Sequence, residues 1–152
     1  MKNPVVLDAL DRRILDRYRR DTRRTAESIG REVGLSTAAV HRRLQRMRAG
    51  GVIEAEVARV NPQALGLPLT CIVAVDIDRE GRADIERFAA RMQRCASVQQ
   101  CSYVTGEADF ILVVAVADMA AYEAFTREHL MSDPNVRSFT THVVMKRVKI
   151  DA

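Results

Sequence analysis

Long apolar runs are missing from this chain. The longest, Phe110 to Ala117, falls well short of the roughly 18 residues that a membrane span needs. The opening MKNPVVLDALDRR has no apolar h-region before its charges begin, so the chain reads as cytoplasmic and without a membrane partner. Cysteine is scarce. Cys71, Cys95 and Cys101 are odd in number and lack CxxC spacing, the pattern of buried or partly buried free thiols. The three histidines, His41, His129 and His142, are scattered, and no metal site is expected. No Ser-His-Asp, Cys-His or paired-carboxylate constellation stands out, and no Gly-rich phosphate loop, so neither catalysis nor a cofactor is expected. Tryptophan is absent and aromatics make up 5%, yet 47% of the residues are hydrophobic, ample for a core. At 152 residues the chain has room for one ordinary domain or two small ones.

What is present is an uneven charge. Residues 1–50 hold 13 Lys/Arg against 6 Asp/Glu, whereas the other 102 residues hold 11 against 14. The basic part contains the stretch around which the chain is organised, Thr25 to Gly51. Ala26, Ile29, Gly30 and Val33 share one helical face, and Gly34 supplies the left-handed stop. Leu35 is an apolar plug and Ser36 caps a second helix, in which Val40, Leu44 and Met47 turn inward. Two short helices about a Gly turn, the second with a cationic outer face, describe a helix-turn-helix whose second helix lies in the major groove of double-stranded DNA. Its readers are Ser36, Thr37, Ala38, His41, Arg42, Gln45 and Arg46, with Thr25 capping the first helix. Arg42 or Arg46 can pair bidentately with a guanine. Arg43 and Arg48 read as phosphate contacts or as solvated charge, and His41 reads equally as a packing residue. A preceding helix, Leu7–Arg20, completes a three-helix core through Leu7, Leu10, Ile14 and Tyr18.

After Gly50-Gly51 the period changes. Val52, Ile53, Val57 and Val60 predict a short extended segment or hairpin, Asn61-Pro62 a break, and Gln63–Pro68 a linker. A second domain follows: strand Leu69–Asp78, helix Gly81–Cys95 and strand Val98–Thr105. Strand Asp109–Ala117, helix Met119–Leu130 and strand Val136–Ile150 complete it. Ile85, Phe88, Ala89 and Met92 face inward from the first of these helices, and Met119, Tyr122, Phe125 and Leu130 from the second. The order βαββαβ is that of the ferredoxin-like fold, with helices on one sheet face only. The other face keeps apolar residues, the mark of an oligomer interface. The expected layout is thus α+β: residues 1–51 a winged-type helix-turn-helix, 52–68 a linker, and 69–152 the sheet domain.

This outline resembles the leucine-responsive/asparagine-regulator (Lrp/AsnC) family of transcription factors. The resemblance is carried by LDALDRRIL (7–15), VGLSTAAVHRRLQRMRAGGVI (33–53), Asn61-Pro62, VTGEADFIL (104–112), ADMAAYEAF (117–125) and THVVMKRVK (141–149). It implies a RAM/ACT-like sheet domain and a nucleoid-associated regulator that dimerises and assembles to tetramers or octamers. It also implies a small effector, often an amino acid, held in a cleft between neighbouring sheet domains. From the residues themselves, Gly106 can open backbone amides to a ligand carboxylate and Asp109 can accept from a ligand ammonium. A plain hairpin turn is the competing reading. By resemblance the cleft uses the loop Val104, Thr105, Gly106 and Glu107 with Asp109, and Tyr103, Met119, Thr141, His142, Val143 and Val144 stand around it. Glu107 adds a second acid, which favours a neutral or basic effector. His142 stands where family members often carry an aromatic or other residue. Two alternatives remain: a sirohaem-type tetrapyrrole decarboxylase of the same outline, needing His129 and His142, and a DNA-organising protein without effector.

Overall fold

The structure is a computed structural model describing residues 6–79 and 81–149. The chain divides into two compact units, one ending at Ala58 and the other spanning Arg59–Lys149.

The first unit is three helices: α1 (Ala9–Tyr18), α2 (Ala26–Val33) and α3 (Thr37–Ala49). α1 is shorter than expected because Asp8 and Asp11 form a capping box: each carboxylate accepts the other's backbone N–H, at 2.7 and 3.1 Å. Leu7 therefore packs on the core from outside the helix. Thr25 accepts from the Ser28 N–H at 3.1 Å and Ser36 from the Ala39 N–H at 3.2 Å, which starts α2 and α3. Gly34, at φ 77°, ends α2 in the left-handed conformation. The core joins Ile14, Tyr18, Ile29, Val33, Val40, Leu44 and Met47, as the helical periodicity predicts. Leu10, expected inside, is only half-buried, and Asp11 occupies a fully buried position on α1. No hairpin forms over residues 52–60. The Val52 and Ile53 N–H groups both donate to the Met47 carbonyl, at 2.9 and 3.2 Å, and their half-buried side chains pack on the core. Val57 and Val60 stay exposed, since residues 52–60 form no strand.

The second unit opens with a 3-10 turn, Pro62–Leu65, where a plain linker is expected; the Asn61 carboxamide caps it by accepting from the Gln63 N–H. Then come β1 (Leu69–Ile77), α4 (Arg82–Arg94), β2 (Val98–Tyr103), β3 (Phe110–Val116), α5 (Met119–Thr126) and β4 (Val136–Val143). The sheet is antiparallel throughout, in the order β2-β3-β1-β4. Cys71, Val73, Val75 and Ile77 of β1 alternate onto the same face as Phe110, Leu112 and Val114 of β3, and are covered by Phe88, Met92, Tyr122, Phe125 and Leu130. The opposite face carries Ile72 and Ala74 beside Val113 and Ile111, paired in register. Three expectations are corrected. The second helix does not run regularly to Leu130: α5 stops at Thr126 and passes into a wider π turn, Arg127–Met131. Met119 does not face inward but is 57% exposed, since it is the first helical residue after the Asp118 cap. β4 ends at Val143 rather than Ile150; the Val144 N–H reaches the Thr70 carbonyl, and β1 offers little beyond it to pair with. Ile150 itself lies outside the described residues.

Candidate nucleic-acid interface and effector site

The outer face of α3 presents Ala38, Arg42 and Gln45 to solvent, on the side away from Val40, Leu44 and Met47. Thr37 and Ser36 stand exposed at its N-terminal end, with His41 on the flank. Among the described residues Arg42 has no hydrogen-bond or ion-pair partner, so its guanidinium is available. Arg43 is different. Its Nη1 donates to Asp8 at 2.6 Å and to Asp11 at 2.8 Å, and its side chain is 21% exposed. This geometry sets aside plain solvation for Arg43, since its Nη1 is committed to α1, while its Nε and Nη2 make no hydrogen bond among the described residues. Arg46 also reaches Asp11, through Nη2, but remains 48% exposed. Arg48, likewise expected in solution or on phosphate, donates to Glu56 at 2.7 Å and to the Tyr18 hydroxyl at 2.7 Å, and lies over the Tyr18 ring. Burial and the neighbouring Glu56 carboxylate push the Tyr18 phenol up, while the Tyr18 and Arg48 donors hold Glu56 below the usual carboxylate range. Glu56 thereby ties the chain beyond α3 to α1 and α3.

The roles of Asp8 and Asp11 escape sequence reading that places them only as favourable to the helix dipole. The D-x-x-D spacing at the helix start is the available signal, because it predicts the capping box. It carries no information on which arginines lie across from it.

In the second unit the expected effector residues fall into two groups. The Tyr103 ring lies tilted 5.3 Å from that of Phe110 at the end of β2, and the loop 104–109 follows it. Gly106 takes φ 135°, open space around it, and Thr105, Gly106 and Glu107 are exposed. Asp109 is half-buried and does more than stabilise its own turn. Its Oδ2 accepts from the Ile77 N–H at 2.8 Å, its N–H donates to the Val75 carbonyl, and its carbonyl accepts from Val104. The carboxylate thus caps the end of β1 across the sheet.

The second group runs from the middle of β1 to its other end. Thr141 shares a hydrogen bond with the Tyr122 hydroxyl, and Val143 and Met119 are exposed nearby in the topology, at the start of β1 and the end of β3. Val144 borders a cleft of about 340 Å³ that also has Thr70, Lys146 and Arg147 on its wall; Arg147 donates to the Thr70 hydroxyl at 2.8 Å. His142 pairs with Ile72 and so stands on the open sheet face, opposite to Thr141 and Val143. Tyr103 is aligned through Phe110 with Val75, and Val143 with Cys71, four residues along β1. At about 3.3 Å per residue Tyr103 and Val143 stand about 13 Å apart along the strand direction, and Tyr103 and Thr141 about 7 Å. β2 and β4 are the two outer strands, three spacings of about 4.8 Å apart. One chain does not bring them together.

Two family models match this chain: the AsnC-type helix-turn-helix domain over residues 7–48 and the Lrp/AsnC ligand binding domain over residues 70–152. The chain belongs to the Lrp/AsnC family. Among curated proteins it is similar to an uncharacterised HTH-type transcriptional regulator of Sinorhizobium fredii, 46% identical over 144 residues, which are 94% of this chain and 85% of that one. The leucine-responsive regulatory protein of Salmonella typhimurium is 34% identical over 143 residues, 94% of this chain and 87% of its own. Among solved structures, the regulator of Neisseria meningitidis in complex with L-Met superposes with a TM-score of 0.89 at 29% identity, over 96% of this chain and 94% of that chain. An AsnC family regulator from Agrobacterium tumefaciens gives 0.88 at 28% identity, over 95% and 94%. As a member of the Lrp/AsnC family, the chain is a transcriptional regulator with a DNA-binding helix-turn-helix. These relatives are regulators, and the decarboxylase alternative gives way to them. His129 and His142 do not converge either: His129 packs on the Phe125 ring at 5.3 Å, on the helix-covered side, and His142 is on the opposite face. Among the described residues no helix is long and apolar enough to cross a membrane, and no group of His, Cys, Asp and Glu is arranged to hold a metal.

Proposed function

We propose that this regulator reads double-stranded DNA with α3 and responds to an amino acid held between copies of its sheet domain. On α3 the readers are Ser36, Thr37, Ala38, His41, Arg42, Gln45 and Arg46, with Thr25 at the start of α2. In the sheet domain the site draws on Tyr103, the loop Val104–Glu107 and Asp109 from one copy, and on Met119 and Thr141–Val144 from a neighbour. The observation that carries the reading is the separation of these two groups across the sheet, on its two outer strands, and along β1, which leaves the site incomplete in one chain. The apolar Ile72, Ala74, Ile111 and Val113 on the uncovered sheet face supply a surface for dimer formation and larger assembly. A neutral or basic effector is favoured, because Glu107 and Asp109 both place negative charge at the loop. The methionine in the Neisseria meningitidis relative's complex supports the same class.

The test is a thermal-shift panel of the twenty amino acids on the full chain, with Asp109→Asn beside it. The asparagine carbonyl can still accept from the Ile77 N–H, so the strand end keeps its cap while the charge that would meet an ammonium is gone. A ligand at 100 times its dissociation constant adds about 2.7 kcal/mol, a shift of several degrees. A shift with one or a few neutral or basic amino acids, lost in Asp109→Asn, is expected. No shift with any of the twenty, or the largest with aspartate or glutamate, refutes the effector reading.

A further inference from the structure

The fully buried Asp11 carboxylate lies on α1, yet two of its three donors come from α3. Oδ1 takes Arg43 Nη1; Oδ2 takes Arg46 Nη2 and the Asp8 N–H. The two arginines are left in different states. Arg43 is mostly enclosed, and its Nη1 is shared between two carboxylates, which leaves its charge neutralised inside the unit. Arg46 gives Asp11 one hydrogen of Nη2 while half of its side chain faces solvent. A guanidinium held at one Nη2 hydrogen keeps the other, together with the parallel hydrogen of a neighbouring nitrogen. One two-donor edge therefore stays free, in the geometry that matches O6 and N7 of guanine. A long arginine on an exposed helix face loses side-chain entropy when it docks on a base; one already pinned by a buried carboxylate has lost part of that freedom beforehand.

We infer that Asp11 is a positioning residue for sequence readout: it fixes Arg46 as a guanine-reading arm, while Arg43 next to it serves the fold and reads nothing. The inference rests on the proposal that α3 lies in the major groove. It separates the three adjacent cations of α3 by what holds them. Arg42 is unattached and adjustable, Arg43 is mostly enclosed with two carboxylates on its Nη1, and Arg46 is held in place with half of its side chain in solvent.

Selection from a random duplex library, read out as the base preference at each position, tests it on the full chain. The variants are Asp11→Asn, Arg46→Lys and Arg43→Lys. Arg46→Lys keeps the charge and removes the two-donor edge; it should lose the preference for guanine at one position per half-site by on the order of 5- to 100-fold. Asp11→Asn should lose the preference at that same position while binding to unrelated DNA is unchanged. Arg43→Lys should leave the whole preference profile as in the wild type. A merely structural Asp11 would lower affinity for all sequences alike and leave the profile intact, and that result overturns the inference. If Asp11→Asn fails to fold, Asp11→Glu, which keeps the charge and displaces the carboxylate by one methylene, takes its place: loss of the preference at the Arg46 position supports the inference, and an unchanged profile in it or in Arg46→Lys overturns it. A wild-type chain that enriches no sequence refutes the placement of α3 itself, a distinct failure.

Discussion

Gly30→Ala is the most demanding perturbation of the helix-turn-helix that the structure allows. A Cβ at Gly30 would stand 2.5 Å from the Leu35 carbonyl oxygen, with the Val40 Cγ2 at 3.6 Å. The clash is with backbone, in a turn whose Gly34 and Leu35 N–H groups both donate to the Gly30 carbonyl at 2.9 Å. The turn cannot yield without breaking those bonds or driving α3 away from α2. Alanine in place of glycine inside a helix gains about 1 kcal/mol, and overpacking costs about 1–3 kcal/mol. With a rigid partner the cost falls at the upper end, so a net loss of about 2 kcal/mol is expected in the first unit. Hydrogen exchange followed by mass spectrometry measures it by segment. Peptides from α2 and α3 should exchange about 30-fold faster, while those from β1 and β3 serve as an unchanged reference. Exchange in α2 and α3 that is unchanged or slower would refute the close approach and, with it, the packing of the turn. Gly34→Ala is the companion: at φ 77° with nothing within 4 Å, it should cost only the left-handed strain, about 1–2 kcal/mol.

Arg43→Ala should weaken the first unit rather than a phosphate contact: the buried Asp11 loses a donor, at about 1–3 kcal/mol, seen as faster exchange in α1 and α3. Binding to nonspecific DNA should keep its salt slope, and a slope reduced by about one would return Arg43 to the interface. Acid should attack the same unit first. Asp8, Glu32 and Glu56 are held below the usual carboxylate range, chiefly by hydrogen bonds from Arg43, Arg24 and Tyr18 respectively. Folded values below the unfolded ones mean that their stabilisation is whole above about pH 4–5 and is lost as pH falls through the folded values. α1–α3 amides should therefore lose protection between pH 5 and 3 ahead of the sheet, and Glu56→Gln should flatten the fall. Ile72→Lys, at the centre of the uncovered sheet face, should shift the chain to smaller assemblies in sedimentation; an unchanged mass would move the interface elsewhere.

The features of the candidate site differ in how far local sequence reveals them. Thr25, Gly34 and Ser36 announce helix ends through their own chemistry, and the caps and the left-handed turn are where those residues predict them. The β1 and β3 alternation likewise places Cys71, Val73, Phe110 and Leu112 on the covered face. Met119 departs from its helical period because an apolar residue at a helix start has no neighbour to bury it; the chain has just left β3 there. Val57 and Val60 fail in the same way, having strand character without a partner strand. Local sequence offers Asp109 as a ligand partner or a turn stabiliser, and the cross-strand bond to the Ile77 N–H is neither, since it depends on which strand is its neighbour.

By itself, then, the chain's sequence determined the elements, their caps, the three-helix and four-strand cores, and the concentration of positive charge on the helix-turn-helix. All of these follow from periodicity and from groups that interact within a few residues. Only the tertiary structure decided which of Arg42, Arg43 and Arg46 is unattached, shared or pinned, because the carboxylates that distinguish them are 32 to 35 positions away. It also decided that the loop of Gly106 and the strand end at Val143 sit at opposite ends of one sheet. Hydrogen-bond register between distant strands sets that distance, and no local pattern contains it.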